Sequence, residues 1–309
     1  MQILKPILLL LCISPFTLFS QRVDIDVFGG ISNYQGDLQP AIVTLQNAQP
    51  AAAVIAKIGF TDNIFLRAGF SFGSLHGTDA KNKGKLVLRN LSFRSGLQEF
   101  HAGVEVRLFK PETFRLTPYG FIGVGFMRFN PYTSYEVNGE MQRVYLQPLG
   151  TEGQGLDMYP ERKPYSLSQL CIPYGGGIKY EINCNLNVGV ELRQTKVFTD
   201  YLDDVSSTYA NYDALRNARG QLAVDVAYRR DEIDGTPYPN REDATRGDPE
   251  FDDWYYFVGV TIGLRINNCE TGAFSLGGLM ELFGGGGGGY YRPASGSRRS
   301  KNMLKCPKF

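Results

Sequence analysis

Eight stretches of the chain alternate between apolar side chains and polar or small ones. In Tyr255–Ile266, Tyr256, Val258, Val260, Ile262, Leu264 and Ile266 share one face, and Tyr255, Phe257, Gly259, Thr261, Gly263 and Arg265 share the other. A two-residue repeat is the repeat of a strand. The same pattern predicts strands over Val23–Gly30, Ala52–Phe60, Ile64–Phe72, Leu97–Phe109, Leu116–Met127, Ile172–Ile182 and Leu186–Phe198. Each is near the ~9–11 residues with which a tilted strand crosses a bilayer. The connections Thr61–Asn63, Lys110–Arg115 and Asn183–Asn185 are short, whereas Ile31–Ala51, Gly73–Gly96, Arg128–Cys171 and Thr199–Trp254 are long. Short turns at one end and long loops at the other are the habit of outer-membrane barrels. A soluble sandwich shares the side-chain alternation but gives no reason for the loop alternation. The predicted fold is all-β: an eight-stranded antiparallel transmembrane β-barrel with long outer loops, partly helical, and a flexible periplasmic C-terminal tail.

Applied to every strand, the alternation places Asp24, Asp26, Glu99, Glu105, Glu181 and Glu191 inward, against Lys57, Arg67, Arg107, Lys179, Arg193 and Arg265. The interior of an eight-stranded barrel is just filled by side chains. Balanced charge there predicts a paired, plugged lumen and not an ion-selective pore. Inward Gly69, Gly123, Gly125, Gly177, Gly189 and Gly263 leave room for the long charged groups. Pro118 belongs at a bulge or a strand entrance.

Composition sharpens this picture at the two ends of the chain. Met1–Ser20 carries one charge, Lys5, before the apolar run Ile7–Leu11, and reads as a cleaved signal peptide. No later segment reaches the ~18 apolar residues of a membrane helix. A membrane-spanning form must therefore be a closed barrel, because an open strand edge in lipid leaves backbone groups unpaired. The expected organisation is a signal peptide over residues 1–20, a barrel over 21–269, and a tether with a basic tail over 270–309.

Between Thr199 and Trp254 the chain has fourteen acidic and six basic residues. This loop reads as a solvated cap over the barrel mouth. Its first half has helical spacing at Tyr212, Leu215, Leu222 and Val226, with Asp203 or Asp204 as the cap and Gly220 as a break. Asp248, Glu250, Asp252 and Asp253 are the residue types of a Ca²⁺ site but lack the EF-hand spacing. Divalent bridging to lipopolysaccharide is the sharper alternative for this loop. After the last strand, Gly284–Gly289 form a flexible tether, followed by a tail with Arg292, Arg298, Arg299, Lys301, Lys305 and Lys308 and no acidic residue. Such a tail is an interaction arm, placed in the periplasm by the barrel's orientation.

In an oxidising compartment Cys171, Cys184, Cys269 and Cys306 allow three full pairings. Cys184 and Cys269 both map to the periplasmic rim and are the favoured bridge. Cys171 belongs to the opposite end. Cys306 is left on the tail, where an intermolecular disulfide is the expected use, with folding back to the rim pair as the alternative.

No nucleophile–base constellation points to an enzyme. The two histidines are His76, in an outer loop, and His101, in the lumen among Glu99 and Glu105; His101 with an inward Ser71 has the residue types of a catalytic pair, and a structural role is the alternative. No ligand spacing predicts a metal, no phosphate loop predicts a nucleotide or other cofactor, and nothing predicts nucleic-acid binding.

Three segments carry a family resemblance. Gly29–Leu38 reads GGISNYQGDL, Asn187–Val205 reads NVGVELRQTKVFTDYLDDV, and the last strand runs into the Gly-rich basic tail. Together these resemble the PorG-like outer-membrane barrels of the type IX secretion and gliding machinery of Bacteroidota. The motif positions are Asn33, Tyr34, Gly36, Asp37 and Leu38, and Asp200, Tyr201, Leu202, Asp203 and Asp204. The resemblance implies a non-enzymatic structural subunit that ties a periplasmic ring, built from the lipoprotein PorK and its partner PorN, to the outer membrane. It supplies no role for the motif residues beyond shaping the outer loops. The alternative is a small OmpA/OmpX-like surface barrel acting as an adhesin or envelope stabiliser.

Overall fold

The computed structural model describes residues 22–41, 44–110, 114–239, 244–250 and 252–266. The expected signal peptide, the tether, Cys269 and the tail residues Arg298, Arg299, Lys301, Lys305, Cys306 and Lys308 lie outside the described residues.

The strands are β1 (Val23–Gln35), β2 (Gln49–Gly59), β3 (Ile64–Thr78), β4 (Ser92–Arg107), β5 (Leu116–Val137), β6 (Glu140–Tyr145), β7 (Ser168–Glu181), β8 (Leu186–Val197) and β9 (Trp254–Arg265). All neighbours are antiparallel. β1 pairs with both β2 and β9, and β4 pairs with β5, so eight strands close on themselves and β6 hangs on the outer end of β5. Closure leaves no edge within the wall, as a membrane barrel requires.

The outward rows are apolar and exposed. On β4, Phe100, Val104 and Val106 alternate with buried Glu99, His101, Glu105 and Arg107. Ile122, Val124 and Phe126 continue the band on β5, Val190 and Leu192 on β8, and Val260 and Ile262 on β9. Burying one such side chain is favourable by ~1.5–3 kcal/mol, so a closed ring of them facing water would be very costly. The ring is the lipid-facing band of a membrane barrel. Phe109 and Phe114 contact each other at 5.1 Å near one rim. At the other rim Tyr174 meets Trp254 edge-on at 6.5 Å, and the Lys196 ammonium lies 4.6 Å from the Trp254 ring centre. Among the described residues no helix is long and apolar enough to cross a membrane.

Register is as expected, but strand length is not. β3 runs to Thr78, not Phe72, and β5 runs to Val137, not Met127. The expected ends mark where the outward face stops being apolar. The backbone ladder continues past that line, with Ser74, His76 and Thr78 outward on β3, because ladder hydrogen bonds do not depend on an apolar face. β6 has no counterpart among the expected strands. It returns along β5 through Asn138–Gly139, both at positive φ, the signature of a type I′ hairpin. Pro118 lies two residues inside β5, at its entrance.

A short helix α1 (Lys85–Arg89) lies in the β3–β4 connection, and within the 199–254 loop α2 (Tyr212–Arg219) and α3 (Gln221–Ala227) are separated by Gly220 at φ 87. The break is where the sequence placed it, but the cap is not. Asn211 caps α2 by accepting from the Ala214 amide, while Asp203 and Asp204 are buried elsewhere.

Candidate functional site

The interior is built in three charged layers. All twelve expected inward charges are buried. Nearest the short turns, Asp24 accepts from Arg107 at 2.9 Å and from Arg265 at 3.4 Å. One layer up, Glu105 is surrounded by Arg107 at 3.0 Å, Lys179 at 3.2 Å, Arg67 at 3.5 Å and Lys57 at 3.7 Å. Asp26 bonds Lys57 and, at 3.0 Å, Lys179. Glu191 takes Arg67 at 2.9 Å and the Tyr119 hydroxyl at 2.8 Å. The third layer centres on Glu99, which meets His101 at 2.9 Å, Arg193 at 3.5 Å and the Tyr255 hydroxyl at 2.5 Å. Guanidinium groups also cover rings, Arg67 over Phe121 at 3.6 Å and Arg107 over Phe65 at 3.7 Å.

Ser71 and His101 each take another partner. Ser71 accepts from Arg193 at 2.8 Å, and the Nδ1 of His101 faces Glu99. Cys171 is a buried free thiol inside the wall. Cys184 lies in the β7–β8 turn and is disulfide-bonded. Its expected mate Cys269 lies outside the described residues.

From the third layer, where Tyr255 meets Glu99 and Arg193 covers Phe257, a buried cluster with Phe28, Tyr34 and Phe93 continues toward the long loops and closes the bore. Here the two motif segments meet. Tyr34, from β1, donates its hydroxyl to Asp203 at 2.5 Å and reaches Asp253 at 3.1 Å. Asp203 also accepts from the Leu38 and Val205 amides, at 3.3 and 2.9 Å. Asp253 accepts from the Leu202 amide at 2.8 Å. Gly36 and Gln39 exchange two backbone hydrogen bonds around Asp37 and Leu38, closing a tight turn. A Cβ on Gly36 would collide with the Asp253 carboxylate and the Tyr34 hydroxyl, so only glycine fits beneath this junction. Asn33 braces the turn, accepting from Gln39 at 3.0 Å and donating to the Tyr256 hydroxyl at 2.9 Å.

The rest of the second motif anchors the neighbouring loop. Asp204, at φ 70, accepts from Thr151 at 2.5 Å and from Tyr165 at 2.7 Å. Tyr201 stacks on Tyr165 with ring centres 4.9 Å apart. Arg246 ties Asp204 to Glu152, meeting them at 3.5 and 3.0 Å, and Glu152 accepts from the Ser206 and Ser207 amides at 2.9 and 3.0 Å. Arg89 holds Asp79 and donates to the backbone carbonyls of Asp37 and Arg246.

The expectation of a solvated loop is therefore corrected: its motif carboxylates form the buried centre of an ordered cap. Burial, with Asp37 as a second cause, pushes Asp203 up from the ordinary carboxylate range, and burial followed by the neighbouring Asp203 does the same to Asp253. Burial raises Asp204 to about 6 despite Arg246, and half-buried Asp200 to about 8. The four acidic residues considered for Ca²⁺ diverge. Asp253 points into the cap, Asp252 pairs with Lys196 at 3.1 Å, and Asp248 and Glu250 are exposed. Among the described residues no group of metal-ligand type converges on a metal position. Sequence reasoning missed Asp253, Glu152 and Arg246 as members of the cap. Arg246 carried a signal, since it stands alone among the acids between Glu242 and Asp253.

A protein family described as a domain of unknown function (DUF6089) matches residues 2–147 of this chain. No curated protein matches it in sequence. Among solved structures, it is similar to Ail, the attachment invasion locus protein of Yersinia pestis, at 10% identity and a TM-score of 0.38, covering 80% of this chain and 99% of that one. It is similar to a major outer membrane protein of Thermus thermophilus at 12% identity and a TM-score of 0.36, with coverage of 80% and 99%. Neisserial surface protein A matches at 9% identity and a TM-score of 0.35, covering 79% of this chain and 96% of that one.

Proposed function

We propose that this chain is a non-enzymatic structural protein of the outer membrane, a sealed barrel that serves as an anchor and not as a channel. The filled lumen carries this reading. Among the described residues three layers of paired charge beneath an aromatic plug fill the bore, and the working surfaces are then the two ends of the barrel. The resemblance of the motif segments supports the finer form: a component of the type IX secretion system whose periplasmic tail ties the PorK/PorN ring to the membrane. In that form the contacts are Arg298, Arg299, Lys301, Lys305 and Lys308, with Cys306 as an intermolecular disulfide, and a Cys184–Cys269 bridge steadies the tail's point of departure.

Two measurements test it. Planar-bilayer conductance should stay at background; sustained channel currents would remove the sealed-anchor reading. A mild-detergent pull-down from native envelopes, with and without reductant, should yield a ring protein that shifts only without reductant and is lost on Cys306→Ser. If no periplasmic partner co-purifies, the secretion role fails and the surface reading takes its place. That second reading, an adhesin or envelope stabiliser, is favoured by one observation: the outer loops share a buried centre with the barrel and present an ordered surface.

A further inference from the structure

A depression lies on the outward wall at the upper edge of its apolar band. It has a volume of about 560 Å³ and crosses β2, β3, β4 and β5 between two cross-strand rows. The lower row is Ala52, Phe72, Gln98 and Arg128, each opposite the next. The upper row contains Ser74, Gly96 and Asn130, whose small side chains leave the floor open. Above it Arg94 stands opposite Tyr132 and His76. Gln98 and Arg128 are the first polar outward residues above Phe100 and Phe126, so this row marks the edge of the hydrocarbon. Arg94 and Arg128 are exposed. Among the described residues neither has an ion-pair partner. The two positions are four residues apart along the strand direction, about 13 Å at the rise of a strand.

An apolar trough below and two unpaired guanidinium groups at and above the lipid boundary have the chemistry of an acylated, phosphorylated headgroup. Arginine forks match phosphate oxygens, and a low-dielectric boundary strengthens the contact. We propose that this wall seats a phosphorylated glycolipid of the outer leaflet, with acyl chains lying over Phe72 and Ala52 and phosphates taken by Arg128 and Arg94. The inference rests on the membrane reading above and deepens it by naming the lipid and its seat.

The test uses the full mature chain in phosphatidylcholine nanodiscs. Diphosphoryl lipid A is titrated in and bound copies are counted by native mass spectrometry. Heat-modifiable gel mobility verifies that each variant is a folded barrel. Arg94→Gln and Arg128→Gln should each weaken binding about tenfold or more, as loss of a charged hydrogen bond does. Lys196→Gln, at the rim on β8, should leave binding unchanged. Lipid A stripped of phosphate should not bind. Unchanged binding in the Arg94→Gln/Arg128→Gln double variant overturns the proposal. Equal competition by phosphatidylglycerol overturns the assignment to a glycolipid. Failure of the barrel to insert at all counts against the membrane reading, whereas insertion without lipid A binding counts against the seat alone.

Discussion

The lumen and the outer cap both bury charge, and they keep it buried by different means. In the lumen six acids face six bases, and Glu105 alone has four cations within 4 Å. In the cap, Asp203 and Asp253 share one phenol hydroxyl and lean on backbone amides, while buried Arg246 pairs with Asp204 and Glu152 instead. A balanced cluster is held by its own ion pairs. An acid-rich cluster is held together by hydrogen bonds and retained protons, so its stability depends on pH. The membrane-spanning part is thus built to be inert, and the part facing outward to respond.

The largest effect should come from the lumen. Glu105→Gln leaves Lys57, Arg67, Arg107 and Lys179 short of their shared counter-charge, and removing one partner of a buried ion cluster costs about 3–5 kcal/mol. The urea midpoint of the refolded barrel in vesicles should fall accordingly. Adding Lys179→Met should recover part of the loss, since the two sites share a contact and cannot be additive. Independence of the two changes would mean that the charges are not one network.

Next in size is Arg246→Met. This strands Glu152 and Asp204 inside the cap, at about 2–4 kcal/mol. Here the loss should stay local. Limited proteolysis should cut the 199–254 loop while the barrel band keeps its heat-modifiable mobility. A fall in barrel stability equal to that of Glu105→Gln would erase the distinction between the two regions.

The third prediction concerns pH. Each raised carboxyl holds its proton more tightly in the closed cap than in an opened one. Its stabilisation is complete below the ordinary value of 3.8 and is lost as pH climbs through about 6 for Asp204 and about 8 for Asp200. Hydrogen exchange in the 199–206 segment should therefore be slower at pH 5 than at pH 9. Asp203→Asn, which imitates the protonated acid, should reduce the difference. A flat profile in the parent protein, after correction for intrinsic exchange, would show that the cap carboxyls are ionised throughout.

The two regions also differ in how far the sequence revealed them. The lumen was legible residue by residue because strand alternation is a local rule. Once Phe100, Ala102 and Val104 are outward, Glu99, His101 and Glu105 have nowhere else to go. The cap was not legible because its contacts are not local. Tyr34 meets Asp203 across 169 positions and Asp253 across 219, and no periodicity links such residues. The motif resemblance picked out Tyr34, Asp37, Leu38 and Asp203 as a set without saying that they touch. Charge alone misled, since a stretch rich in acids reads as solvated until backbone amides and Arg246 are found facing it. The β5–β6 hairpin was readable from Asn138–Gly139, but it lies beyond the apolar band whose alternation marks the other strands.

The smallest effect asks whether the cap is one unit or two. α2 and α3 pack with Tyr159 and Ala210 around Leu215, Ala223, Val224 and Ala227 in a small cluster, from which Val226 and Leu222 of α3 reach across to the larger core. The Tyr34–Leu202–Phe257 cluster belongs to the core that continues into the barrel. Asn211→Ala removes the side-chain acceptor of the Ala214 amide, at a cost of about 1 kcal/mol for a lost helix cap. Amides of α2 should then exchange about fivefold faster, the ratio that such an energy corresponds to. The amides of Leu38 and Leu202, bonded to Asp203 and Asp253, should keep their rates if the helices are an appendage. If those amides accelerate together with α2, the helices and the motif junction open as one cooperative unit, and the whole cap, not just its carboxylate centre, is what pH would move.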